Sequence, residues 1–367
     1  MDGVGDVNGA DGAEGAGRAD GGGGRLVHIG SFTSGGGRGV TTASVDPRTG
    51  ALTVLSATAA VADPSYLAVA PDTGVVYAVS ETEEGAVAAF RPTGGGLTAL
   101  GPAVAVGGAG PTHLSVAAGR LFTANYTSGG VSSLPLAADG TPLGPPAVHA
   151  HRGSGPDPER QERPHAHQVL PDPTGRWILS VDLGTDSVRV CLADPETGAL
   201  RPHAETALRA GTGPRHLAFH PDGSVLYVLH ELEPQLTVCR WDAGSGRLEP
   251  VAEVPVAAAA APGGARVYPS AVVVSPDGRF VWAALRGADA IATLALAAGA
   301  EEPRLTGTVD CGGSWPRDLA ADPSGRRLYA ANEHSGDVTW FDVDPLTGLP
   351  RRAGSVAVPA ATCVVFG

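Results

Sequence analysis

The chain has no lysine: all 25 basic residues are arginine. That excludes a lysine Schiff base and a phosphate-cradling P-loop lysine. Cysteine is scarce, with Cys191, Cys239, Cys311 and Cys363 widely spaced and no CxxC pair, so core roles are expected rather than a disulfide or zinc site. No basic run exists and the formal net charge is -13, which argues against a nucleic-acid partner. No apolar run reaches the ~18 residues that a membrane helix needs. No dense carboxylate or His/Cys cluster implies a metal, and no cofactor is expected. The first 24 residues are mostly Gly, Ala and Asp. They lack the basic start and apolar middle of a secretory signal and cannot bury enough surface to offset ordering. Residues 1–24 are therefore expected to be a disordered tail, residues 25–367 a single domain, and the cytoplasm its location.

What the chain has in quantity is glycine (53) and proline (31), together with 43% hydrophobic residues. That composition suits a large core crossed by many tight turns and few long helices. The turns recur. Pro64, Pro111, Pro164, Pro214, Pro269 and Pro316 stand 47, 53, 50, 55 and 47 residues apart. After each comes a short strand (PSYLAVAP, PRHLAFHP), a turn (PDTG, HPDG, SPDG, DPSG), and a strand led by a bulky residue (VVYAVSE, VLYVLHE, LYAANE). A third strand, a loop such as DPLTGLP and a more variable outer strand follow. Four strands per ~50 residues is a β-propeller blade. The N-terminal stretch supplies three more strands and ATCVVFG a fourth, so an all-β seven-bladed propeller closed by the N- and C-terminal strands is predicted.

Positions that match across blades ring the central channel, so the exceptions point to function. Three residues after each marker proline stand Leu67, Leu114, His167, Leu217, Val272 and Leu319; only His167 is polar. A core histidine is the plain alternative. Period-two alternation puts His165 on the same face as His167. Directly after the prolines stand Ser65, Thr112, His165, Arg215, Ser270 and Arg317, and the arginines there suit anion binding. Four residues beyond the leading bulky residue come Glu81, Tyr126, Asp182, Glu231, Arg286 and Glu333. This polar column is read either as substrate-binding or as a ring of ion pairs. The loop 152–164 has mixed charge and is read as a solvated loop or a lid.

Several stretches resemble a known family. GSGPDPERQERPHAHQVLPDPTGRWILSVDLGTDSVRV, GTGPRHLAFHPDGSVLYVLHELEPQLTV and WPRDLAADPSGRRLYAANEHSGDVTWFDVDPLTG look like the bacterial seven-bladed lactonase family, as do IGSFTSGGGRGVTTASVDPRTGALT and ADPSYLAVAPDTGVVYAVSE. The likeness spans about residues 26 to 366. The family includes propeller-type 6-phosphogluconolactonases and the fungal carboxy-cis,cis-muconate cyclase. The resemblance implies a catalytic group of His167, Glu231, Arg215 and Arg286, carried over by local motif from the cyclase branch. The chain departs from the family at Asn332-Glu333, where Asn-Gln is usual.

Hydrolysis of a lactone needs a base for water, a donor for the oxyanion and an acid for the leaving alkoxide. Glu231 or His167 is the expected base, with the other as acid. Arg215 or Arg286 is expected to hold the oxyanion. His165, Arg317, Glu81, Tyr126, Asp182 and Glu333 are expected to bind substrate, Arg317 taking a phosphate or carboxylate. The expected reaction is metal-free hydrolysis of a sugar lactone, foremost 6-phosphogluconolactone. A muconolactone-type cyclising enzyme and a non-catalytic binding propeller are the alternatives.

Overall fold

A computed structural model describes residues 25–257, 261–297 and 299–367. The tail expected at residues 1–24 lies outside them. The described strands form seven antiparallel sheets in meander order around a central axis, six with four strands and one with five, where Val104–Ala105 adds a short pairing to Ala86–Thr93. Blade 1 is built from both ends of the described chain. Its innermost strand, Ala361–Phe366, pairs with Leu26–Ser31, and Val40–Val45 and Leu52–Thr58 follow outward. The innermost strands of blades 2 to 7 are Leu67–Val69, Pro111–Ala117, Ala166–Pro171, Pro214–Phe219, Tyr268–Val274 and Pro316–Ala321.

One apolar cluster fills each of the seven blade interfaces. The bulky residues that lead the second strands serve a second purpose there. In five blades, the aromatic O–H or N–H donates to a loop carbonyl of the next blade: Tyr77 to Gly140, Trp177 to Ala243, Tyr227 to Ala300, Trp282 to Gly348 and Tyr329 to Gly50. A buried Tyr or Trp needs such a partner, so the repeat pairs core volume with a directional bond. The recurring DPxTG loops supply two of those carbonyls. Their aspartate accepts the backbone N–H groups two and three residues on, as Asp46 and Asp344 do, and their glycine takes φ near 70°. That left-handed conformation is open to glycine at no steric cost.

Strand pairing corrects the sequence alignment at blade 4. Pro214 pairs with His230 and Pro316 with Asn332, but it is Ala166, not Pro164, that pairs with Asp182. The marker of blade 4 is thus two residues later than the proline spacing indicates. His167 belongs with Ser65, Thr112, Arg215, Ser270, Arg317 and Thr362, while Val169 occupies the aliphatic column. The same offset removes Asp182 from its predicted column. Leu183 donates its N–H to the His165 carbonyl as Glu231 does to Gly213 and Glu333 to Trp315, so Leu183 is the residue that matches Glu231.

A chain stopped after Pro359 loses the innermost strand of blade 1 and leaves Leu26–Ser31 as an open edge. Its melting temperature should fall by more than about 10 °C, or the protein should aggregate, since several kcal/mol are removed from one cooperative unit. Unchanged melting by differential scanning calorimetry would show that closure carries no stability.

Candidate active site

The corrected column explains how the site is made. In at least six blades, the innermost strand slips register just where it meets its neighbour: at Thr112, His167, Arg215, Ser270–Ala271, Arg317 and Thr362. These are β-bulges. Each inserts an unpaired residue and re-aims its side chain. Ser65, Glu81, Thr112, His167, Arg215, Arg317 and Thr362 line a narrow axial cavity of about 10 Å³, room for about one water molecule. A bulge frees backbone polar groups that need new partners when buried. Side chains of the ring supply them. Thr112 Oγ1 donates to the His167 carbonyl (3.0 Å), Ser270 Oγ to the Pro316 carbonyl (2.6 Å) and Arg215 Nη1 to the Ser270 carbonyl. The next residue of each strand forms a second layer. There Gln168 accepts from the Leu217 N–H and Asp318 from the Val364 N–H, and His113, His216 and Tyr66 make edge and tilted ring contacts.

Glu231 is the electrostatic centre. Its Oε2 lies 2.9 Å from Arg215 Nε and 2.9 Å from Arg286 Nη2, and its Oε1 accepts from Arg160 Nη2 at 2.6 Å. Burial would raise its carboxyl, but Arg286, Arg215 and Arg160 outweigh burial and hold it well below the usual carboxylate range. Glu231 is therefore ionised and is a poor proton acceptor. Three guanidiniums against one carboxylate leave the cluster with a net charge of +2. Burial pulls Arg215 down to about 9, Arg286 adds to this and Glu231 opposes it, so Arg215 stays charged at neutral pH. Arg286 is also fixed by the Tyr268 carbonyl (3.1 Å) and lies 5.4 Å from the Trp315 ring centre.

His167 is 5% exposed and stands edge-on to Tyr126 and His216 at ring separations of 5.6 and 5.4 Å. Burial, reinforced by Arg215, Arg317 and Arg286, keeps its imidazole well below its ordinary value, so it is neutral. Its Nδ1 has no hydrogen-bond partner among the described residues. Of the two expected acid–base groups, His167 is thus the one with a lone pair to offer. Glu231 instead orients guanidiniums.

The other predicted residues divide into three groups. Tyr126 joins the site: its hydroxyl accepts from Arg160 at 3.3 Å and its ring stacks on His165 at 4.4 Å. His165 lies just before the bulge, with Nδ1 3.0 Å from the Tyr126 carbonyl and Nε2 3.2 Å from Glu162, so it does not share a face with His167 by simple alternation. Arg317 sits between Glu333 (3.2 Å) and Glu81 (3.7 Å) and over the Phe32 ring. Two carboxylates around one guanidinium make a poor receptor for a phosphate, so that trio reads as the ion-pair ring rather than the anion site. Asp182 does not reach the site. It is fully buried, accepting from His151 Nδ1 (2.7 Å), the His165 N–H (2.8 Å) and the Thr185 N–H (3.1 Å). Its work is to anchor the strand that carries the histidines.

Two contributors were missed in the sequence. Arg160 lies in a mixed-charge loop of a kind that is ordinarily solvated. What turns it inward is Gln161, buried and donating to the Leu183 carbonyl at 2.8 Å. Trp315 left one signal in the sequence: a bulky residue stands where Asp63, Gly110 and Gly213 precede their markers. The residue before the marker is left-handed in Asp63, Gly110, Gly213 and Trp315 alike, with φ between 44° and 63°. A bulky side chain in that conformation is an outlier that marks a functional constraint. Asp289 holds it by accepting the Trp315 N–H at 2.8 Å, and the indole stacks on His334 at 4.7 Å.

The fold and site together define a propeller enzyme with a buried imidazole beside a cationic, anion-attracting cluster. The chain matches the family described as "Lactonase, 7-bladed beta-propeller" over residues 26–366. It is 33% identical over 348 residues to the 6-phosphogluconolactonase of Bacillus subtilis, covering 93% of this chain and 98% of that one. It is 32% identical over 260 residues to the 6-phosphogluconolactonase of Pectobacterium carotovorum, covering 69% and 73%. A solved structure, the periplasmic gluconolactonase of Pseudomonas aeruginosa, superposes with a TM-score of 0.86 at 30% identity over 93% of this chain and 98% of that one. The chain therefore belongs to the seven-bladed β-propeller lactonase family and is a lactone hydrolase.

Removing the charge of Glu231 leaves buried guanidiniums facing one another. Glu231→Gln should destabilise the fold by about 3–5 kcal/mol, the typical result of breaking a buried ion pair from one side, measurable by urea denaturation. Stability should also fall in mild acid. Burial holds His28 at about 4, His113 and His230 at about 3, and His167 and His216 well below their ordinary value. All five are neutral when folded and protonate near 6.5 when unfolded, so unfolding takes up protons and stability rises with pH between about 4 and about 6.5. Glu81 and Asp318, whose carboxyls burial raises, act in the opposite direction. Net uptake on unfolding at pH 5 should be about three to five protons. Equal melting temperatures at pH 5 and 7 would contradict this.

Proposed function

We propose that the chain hydrolyses 6-phosphogluconolactone to 6-phosphogluconate. The observation that carries this reading is the net +2 cluster around Glu231, set against the neutral imidazole of His167. A phosphorylated sugar lactone brings a dianion at one end and an electrophilic carbonyl at the other, and the cluster attracts the first while His167 serves the second. The curated 6-phosphogluconolactonases at 33% and 32% identity support the same substrate.

In this mechanism the neutral His167 imidazole accepts a proton from water as the water oxygen bonds to the lactone carbonyl carbon. Arg215 and Arg286 stabilise the oxyanion. Arg215 Nη2 and Arg286 Nη1 donate to no described protein group, so both have donors to offer. Preorganised donors aimed at developing charge usually contribute most to such a reaction. The ring C–O bond then breaks, and the imidazolium returns its proton to the leaving alkoxide. Glu231 acts as a positioning residue: its Oε2 bridges the two guanidiniums, offsets their mutual repulsion and fixes their orientation. We also assign the reaction to the cytoplasm, supported by four buried, unpaired cysteines that suit a reducing compartment. Cell fractionation tests this.

The purified protein should turn over 6-phosphogluconolactone in a pH-stat assay with higher kcat/KM than glucono-1,5-lactone or a muconolactone. Preference for either of the latter would overturn the substrate. His167→Ala should lower kcat by about two to four orders of magnitude, a usual acid–base contribution. Because burial holds His167 neutral across this range, the wild-type kcat should vary less than about threefold between pH 5.5 and 8. A titration limb centred near 6.5 would point to a different base.

A further inference from the structure

Resting on the reading of a phosphorylated lactone, we infer that Arg160 is the specificity-determining residue that receives the substrate's phosphate. Four observations lead there. Of the three guanidiniums on Glu231, only that of Arg160 has substantial solvent-facing surface: its side chain is 33% exposed, against 3% for Arg215 and 7% for Arg286. A ligand entering from solvent meets Arg160 first. Second, both of its hydrogen bonds run from one atom, Nη2, to Glu231 and to the Tyr126 hydroxyl. Nε and Nη1 engage no described protein group. The Nε–H points to the Nη2 side, so the two do not make one fork; each can give a phosphate oxygen a single charge-assisted bond while Nη2 stays on Glu231. The phosphate can therefore bind without displacing Glu231.

Third, the loop holds Arg160 in place before any ligand arrives. Asp157 Oδ1 accepts the Glu159 and Arg160 N–H groups at 3.0 and 3.1 Å, and the neighbouring Gln161 is buried and bonded to blade 4. An arginine so pinned loses less freedom on binding than one on a free loop. Fourth, the other candidate is occupied. Arg317 stands between Glu81 and Glu333, where a phosphate would face two carboxylates. Arg163, on the same loop, is more exposed and pairs with Glu162 away from the cluster.

The residue thus sorts substrates by charge, while His167, Arg215 and Arg286 act on the carbonyl. Steady-state kinetics on the full chain test this with two lactones, 6-phosphogluconolactone and glucono-1,5-lactone. Arg160→Gln should lower the ratio of kcat/KM for the phosphorylated over the unphosphorylated lactone by about 10- to 100-fold, the worth of hydrogen bonds to a charged group. Most of the change should lie in KM. Arg160→Lys should restore part of the ratio, and Arg163→Gln, which removes the same charge from the same loop, should leave it unchanged. If both lactones lose activity equally in Arg160→Gln, Arg160 merely supports Glu231 and the inference falls. It falls too if Arg163→Gln has the same effect, because the loop then acts only through net charge. Should the wild-type enzyme show no preference for the phosphorylated lactone, the proposed substrate is lost, and competitive inhibition by inorganic phosphate decides the role of Arg160 separately. Weaker inhibition in Arg160→Gln keeps the anion site there; equal inhibition removes it.

Discussion

A register slip at the head of each innermost strand is the constraint on which this protein's chemistry depends. A regular strand would turn its side chains into the blade interfaces, where apolar clusters already fill the space. The bulge adds one residue, and that residue faces the axis. It leaves backbone groups without ladder partners, so the side chains at the bulge must be able to bond as well as point. Thr112, Ser270, Gln168 and Asp318 discharge that requirement by bonding to the next blade. The same bonds stitch the ring together where no aliphatic packing reaches. His167 is freed from this work, and Arg215, which bonds the Ser270 carbonyl through Nη1, keeps Nη2 to face a ligand.

Electrostatics then assigns roles that residue type alone leaves open. A buried carboxylate and a buried imidazole are both ordinary acid–base candidates. Here three guanidiniums hold Glu231 ionised, while burial and the same positive field keep His167 neutral. The pair is pushed apart, with the imidazole retaining a usable lone pair and the carboxylate becoming a structural counter-charge. Such a separation of environments is how one site runs acid–base chemistry near neutrality. It also means that the positive cluster is only one-third neutralised by Glu231, and the surplus charge is available to an anionic substrate.

The architecture could be read from spacing, because a blade repeats its turns and its bulky second-strand residues at a nearly constant interval. The members of the site were legible less evenly. His167, Arg215, Glu231 and Arg286 were marked by the repeat and by local motif, yet His167 stands in a different column from the one that proline spacing indicates. Pro164 mimics a marker two residues ahead of Ala166, and no one-dimensional count can tell a loop proline from the first residue of a strand. Asp182 was misassigned for the same reason. Arg317, Glu81 and Glu333 were expected at the substrate; Arg317 and Glu81 line the axial cavity beside His167, and with Glu333 they form an ion-pair group there. Arg160 was hidden in a loop whose inward turn depends on the burial of Gln161.

By itself the sequence determined the closed seven-bladed ring, since turn chemistry and strand periodicity are local and repeat with the chain. It also determined which residue types could face the axis. Only the tertiary structure decided the register of each bulge, the partner of each arginine and the protonation of His167 and Glu231. Those depend on distances between blades some 50 residues or more apart in the chain, and on burial, which exists only once the ring has closed.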